Sequence, residues 1–114
     1  MSRRDDSVRF RHMLDHAREA VDLAKGKCRS ELVRDRVLQL ALTRLVEIVG
    51  EAAAQVSAEG QTKHPSFPWR AAIGMRNRLV HAYDIINLDV LWDTITVDLP
   101  RLISALEPMV RGNT

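Results

Sequence analysis

Within Gly74-Met75-Arg76-Asn77-Arg78-Leu79-Val80-His81-Ala82-Tyr83, a fixed cation, an amide, a titratable imidazole and a phenol fall inside eight positions starting at Arg76. Such a set suits phosphodiester chemistry on RNA without a metal. A neutral histidine near its ordinary pKa can take the proton from a ribose 2′-hydroxyl. An arginine can hold the phosphate and stabilise the charge that develops on its oxygens. If the stretch is helical, a step of about 100° per residue puts Asn77, His81 and Arg78 at about 100°, 140° and 200° from Arg76. Met75, Leu79, Val80, Tyr83 and Ile73 take the remaining arc, so one face is apolar and the other carries Arg, Asn, His and Arg. Asn77 and His81, four apart, can hydrogen-bond and orient the ring.

A purely structural use of these residues stays open at this level. Arg76 and Arg78 could pair with aspartates of the fourth helix, and His81 could cap the end of the third, where a cation is favoured. Spacing alone favours that plainer use. The charge pattern allows either, because Gly60 to Ala82 carries Lys63, Arg70, Arg76 and Arg78 with no acid, and Asp84, Asp89, Asp93 and Asp98 follow with no intervening base.

The elements that must position this segment read as helices. The chain has 114 residues, 46% hydrophobic and 28% charged, enough for a single domain over residues 1–114 with one core. Five glycines and four prolines leave long intervals of helical periodicity. Phe10, Leu14, Ala17, Val21 and Ala24 predict a first helix over about 6–25, stopped by Gly26. A second helix is expected from the N-cap Ser30 to Glu59, before Gly60. Its stripe is Leu38, Leu42, Leu45, Val49, Ala52 and Val56, widened by Val33, Val37, Leu40, Ala41 and Ile48, so that more than one neighbour must cover it. Gly50 and the alanines beside it would let another helix approach closely. Arg44, Glu47 and Glu51 read as an ordinary ion ladder, the alternative being a polar line beside a site.

Gln61 to Pro68 is the expected loop. A third helix runs from Trp69 to about Ala82, and a fourth follows Asn87 with Val90, Leu91, Ile95, Leu99, Leu102 and Leu106, bent or interrupted near Pro100. The expected fold is all-α, an up-and-down four-helix bundle with room for a short extra helix or a bend near Pro100.

Several classes of function fall away. No glycine-rich dinucleotide or P-loop motif and no nucleophile elbow is present. One cysteine, Cys28, excludes an internal disulfide, and the four histidines show no zinc spacing, so no metal and no bound cofactor are expected. His12 and His16 form a four-residue pair with no third ligand, and His64 reads as a solvated loop residue. Trp69 and Trp92 read as core or interface residues. No apolar run is long enough for a membrane helix and no leader segment is apparent, so a cytoplasmic, non-membrane protein is expected.

The motif Arg76-Asn77-x-x-x-His81-x-Tyr83 resembles the Arg-x4-His-x-Tyr motif of HepT-like proteins, the toxin branch of the HEPN superfamily. The likeness extends over roughly Phe10 to Val110. It includes Glu47-Ile-Val-Gly-Glu-Ala52, Pro65-x-x-Pro-Trp69, Ile73-Gly-Met-Arg-Asn77, and Leu91-Trp92 with Asp98-Leu-Pro100. The resemblance implies a HEPN fold that forms a homodimer, with two copies of the motif facing each other in one composite RNA-cleaving site. Arg76 and His81 would be catalytic, Asn77 and Arg78 would support the site, and RNA, tRNA included, would be the substrate. It further implies a partner, an MntA-like minimal nucleotidyltransferase antitoxin, which transfers AMP from ATP to the tyrosine matching Tyr83 and silences the toxin, in an assembly that could exceed the dimer. A noncatalytic module that docks such a partner or holds a nucleotide through the Arg76-Asn77-His81 face is the competing function. A ligand-free helical scaffold is a third.

Overall fold

The structure, a computed structural model, describes residues 3–80 and 85–112. His81 and Tyr83 therefore lie outside the described residues, as does Asp84.

The first helix, α1 (Arg3–Ala24), buries Phe10, Met13, Leu14, Ala17, Ala20 and Ala24 at three- and four-residue steps. Gly26, with φ at 78°, ends it in the left-handed region that glycine enters without penalty. The long helix expected next is broken in two places. Arg29–Arg34 forms α2 and Arg36–Gln55 forms α3, separated by Asp35 in extended geometry. Asp35 accepts the Leu38 N–H at 3.0 Å, so its short carboxylate starts a new helix in place of continuing the old one. Gln39, nearly buried, donates its amide to the carbonyls of Leu32 and Val33 at 2.9 and 3.2 Å and satisfies groups the break sets free. Cys28, rather than Ser30, is the N-cap of α2. Its N–H and thiol bind Glu31 and hold that exposed carboxyl below its ordinary range.

The second break is at Val56 and Ser57. Ser57 caps α4 (Ala58–Lys63) by accepting the Gly60 N–H at 3.0 Å. From α1, the buried Asp6 accepts the Ser57 N–H at 2.8 Å and its hydroxyl at 2.5 Å. Gly60, expected to stop a helix, lies inside α4, at a place where a Cβ would enter the Asp6 carboxylate. The loop shortens to residues 64–68.

The third expected helix is two short turns, α5 (Trp69–Ile73) and α6 (Met75–Leu79), hinged at Gly74. Val80 is extended and bridges Ile86, so helical geometry ends before His81. Asn87 caps α7 (Leu88–Asp93) by accepting the Val90 N–H at 3.1 Å. A π-helical turn, Thr94–Asp98, joins it without a break to α8 (Leu99–Gly112). There the Leu99 N–H reaches back to the Thr94 carbonyl. The irregularity expected at Pro100 takes this form because a proline two residues on lacks an N–H and crowds the carbonyl four residues earlier; a wider turn relieves both.

The fold is all-α, with α1 packed on α3 and α8, and α3 on α5 and α6. One apolar cluster runs through all of them, with Trp69 and Trp92 half-buried at its margin. No helix among the described residues is long and apolar enough to cross a membrane.

Candidate functional site

Close approach of α5 to α3 creates the site. A Cβ on Gly50 would stand 3.1 Å from the Ala72 carbonyl oxygen and 3.3 Å from that of Ile73, so only glycine lets the last turn of α5 rest on α3 without displacement. After the hinge at Gly74, Met75 and Leu79 bury one side of α6 and Arg76 turns toward α3. Its Nε donates to Glu47 Oε2 at 2.6 Å. Glu47 lies one helical turn before Gly50, so the residue that admits α5 and the residue that receives Arg76 share a face of α3.

The ion ladder expected along α3 is therefore only partial. Arg44 reaches Glu51 at 3.3 Å, whereas Glu47 leaves the ladder for Arg76 and forms a polar line beside the site. Arg76 is half-exposed and Glu47 mostly covered. A charge-assisted bond through Nε leaves the outer edge of the guanidinium free for a second anion. Leu40, Thr43, Arg44 and Glu47 of α3, with Arg76, Val80 and Ile86, surround a pocket of about 270 Å³. The Thr43 hydroxyl in its wall is buried and finds no hydrogen-bond partner among the described residues. No sequence pattern announced that orphan; Glu47 was visible as a polar position but not as the holder of Arg76.

The arrangement also separates residues that the helical wheel grouped. α6 stops at Leu79, and His81, which the helical wheel put beside Asn77, lies outside the described residues. Val80, which precedes the His81–Asp84 segment, and Ile86, two residues after it, both line the Arg76 pocket. Asn77 is exposed on α6. Arg78 faces away from Arg76, donating to the Ala71 carbonyl at 3.4 Å and lining a different cleft against α8. Among the described residues Arg76 pairs with Glu47 and not with an aspartate of the fourth expected helix: Asp89 and Asp93 are taken by Arg29 at 2.9 and 3.4 Å. Lys63 pairs with Glu59, which leaves Arg70 and Arg78 as the cations of the basic segment without an acidic partner among the described residues.

Around the pocket the α2–α3 surface is apolar and uncovered. Val33, Val37 and Leu40 are 54%, 77% and 48% exposed, although their spacing led us to expect covering neighbours. α5 rests on the Gly50 end of α3, which leaves this stripe largely exposed.

Comparison with known proteins agrees with this layout. Residues 13–109 match the family described as ribonuclease HepT-like. A protein of Caldanaerobacter subterraneus named as an RNase is 35% identical over 91 residues, covering 80% of this chain and 81% of that protein. A "Probable ribonuclease HepT" of Thermococcus cleftensis is 33% identical over 100 residues, covering 84% and 91%. A Methanocaldococcus jannaschii protein, also named as an RNase, is 29% identical over 107 residues, covering 94% and 98%. No solved structure matches the chain significantly. The match runs from within α1 to within α8 and takes in the Glu47, Gly50 and Arg76 constellation, and on this ground the chain belongs to the HepT-like ribonuclease family.

Proposed function

We propose that the chain is a metal-independent endoribonuclease, the toxin of a toxin–antitoxin pair, with Arg76 and His81 as its catalytic residues. The observation that carries the reading is Arg76 held by Glu47 at the mouth of a pocket, in a chain of a ribonuclease family. His81 takes the 2′-hydroxyl proton, the 2′-oxygen attacks the adjacent phosphorus, and the bond to the 5′-oxygen breaks, leaving a 2′,3′-cyclic phosphate and a 5′-hydroxyl. Arg76 holds the non-bridging oxygens as their charge grows. Asn77 supports the site at its edge, whereas Arg78, expected to do the same, lines the cleft on the other side of α6.

A single copy of the motif offers one imidazole, that of His81, whereas the reaction needs a base and then an acid for the departing oxygen. A homodimer supplies both, and the uncovered Val33, Val37 and Leu40 stripe beside the pocket is a surface that a second copy would cover. The partner in this reading is an MntA-like nucleotidyltransferase that moves AMP from ATP onto Tyr83, the sole tyrosine of the chain. The added phosphate and base would fill the RNA path and occupy its cations.

End-labelled RNA, tRNA included, is the test substrate, incubated in chelator with protein whose intact mass shows no adduct. Cleavage by the native chain, ending in 2′,3′-cyclic phosphate, and none by His81→Ala prepared identically is the expected result. If unmodified native protein cuts nothing, the docking-module reading replaces this one.

A further inference from the structure

A second cleft lies on the far side of α6 from Arg76. Its floor is apolar, made by the buried Ala72, Met75 and Leu102, and its volume is about 200 Å³. Arg78, Asp98 and Arg101 stand around it. These three charges are not spent on one another or on other described side chains: the Arg78 side chain donates to the Ala71 carbonyl, and the side chains of Asp98 and Arg101 have no hydrogen bond or ion pair among the described residues. A carboxylate and two guanidiniums around one cleft, all without charged partners, is a poor arrangement for stability and a suitable one for a ligand with both donors and negative charge.

The π-helical turn puts Asp98 there. It is the last residue of Thr94–Asp98, and the extra residue in that turn rotates it relative to Arg101, one turn further along α8. Pro100 maintains the irregularity. Turns of this kind recur where a side chain must leave its regular register for a functional position.

We infer that this cleft is a nucleotide subsite selective for guanine. The space is smaller than the roughly 300–1,000 Å³ of pockets for drug-sized ligands, and suits one ring system. An ionised carboxylate accepts hydrogen bonds and donates none. Guanine presents two adjacent donors, N1–H and the N2 amine, to such an acceptor. Adenine and cytosine place a ring acceptor beside their amine, and uracil flanks its single N–H with carbonyls. Asp98 therefore reads the guanine edge, Met75 and Leu102 carry the ring, and Arg78 and Arg101 take the phosphate or stack on the base. Assigning that nucleotide to the RNA chain rests on the ribonuclease reading; Arg76 and this cleft then contact neighbouring parts of one strand from opposite faces of α6.

The test is titration of the isotopically labelled full chain with the four ribonucleoside 5′-monophosphates, read by backbone amide shifts. Guanosine monophosphate is expected to shift Ala71, Met75, Asp98 and Arg101 and to bind at least 10-fold more tightly than the other three. Asp98→Asn should abolish that preference while binding to all four persists, and Arg101→Ala should weaken all four alike. Equal affinity for the four nucleotides, shifts confined to the Glu47 and Arg76 pocket, or unchanged selectivity in Asp98→Asn would overturn the assignment. Circular dichroism on each variant separates misfolding from loss of contact. RNA cleavage is scored on the same samples: guanine selectivity in a protein that cuts no RNA upholds the subsite and removes the nuclease reading. A nuclease indifferent to Asp98→Asn in both binding and cleavage does the reverse.

Discussion

Arg76 Nε donates to Glu47 Oε2 at 2.6 Å, joining α6 to α3 across 29 positions of sequence. An exposed ion pair contributes little to stability, about 0–1 kcal/mol. Its consequence is geometric, since it fixes which edge of the guanidinium faces solvent and where that edge lies relative to the chain leaving Val80.

Glu47→Ala is expected to lower kcat by about 10-fold, equivalent to ~1.4 kcal/mol of transition-state stabilisation, with little change in melting temperature. Glu47→Gln, whose carbonyl still accepts from Nε, should recover most of that loss. Single-turnover RNA cleavage checks both. Equal activity of the alanine and native proteins would mean Arg76 finds its position without Glu47.

Gly50→Ala tests the approach of α5. Alanine gains about 1 kcal/mol of helix propensity over glycine. Against that, its Cβ must displace the Ala72 and Ile73 carbonyls, and overpacking of this kind costs about 1–3 kcal/mol. A net loss of about 1 kcal/mol is expected, lowering Tm by roughly 4 °C. Cleavage should fall more than the folded fraction does, because the same displacement moves Arg76. A stabilised and fully active variant would refute the close-approach account.

Val37, 77% exposed on α3, probes assembly. Val37→Glu leaves the core intact and places charge in the apolar stripe beside the pocket. Sedimentation should show a native dimer and a monomeric variant, and the monomer should cut RNA at least 100-fold more slowly. A variant that sediments and cuts like the native protein places the interface elsewhere.

Tyr83→Phe removes the only phenol in the chain. Cells producing the variant together with the nucleotidyltransferase are expected to stop growing, while the native pair grows. The native protein from the pair should carry one AMP by intact mass and the variant none. Growth with the variant would show that silencing needs binding alone.

The sequence by itself determined the helical class, because burial at three- and four-residue steps, as in Phe10, Met13, Leu14 and Ala17, is a local pattern that only a helix converts into one apolar face. It also pointed to where chemistry could occur, because Arg76, His81 and Tyr83 put a fixed cation, an imidazole and the sole phenol of the chain within eight positions. Helix ends were less legible. Asp35 and Ser57 each start a new helix inside a run with continuous periodicity, and the stripe survives both breaks because the halves pack on the same core. Only the tertiary structure decided the site. Whether Glu47 meets Glu51's partner or Arg76 depends on α5 seating over Gly50, a contact between residues more than twenty positions apart. Arg76 and Arg78, two positions apart, part to opposite faces because α3 packs on one side of α6 and α8 flanks the other, and spacing along a chain carries no record of which neighbour lies on which side.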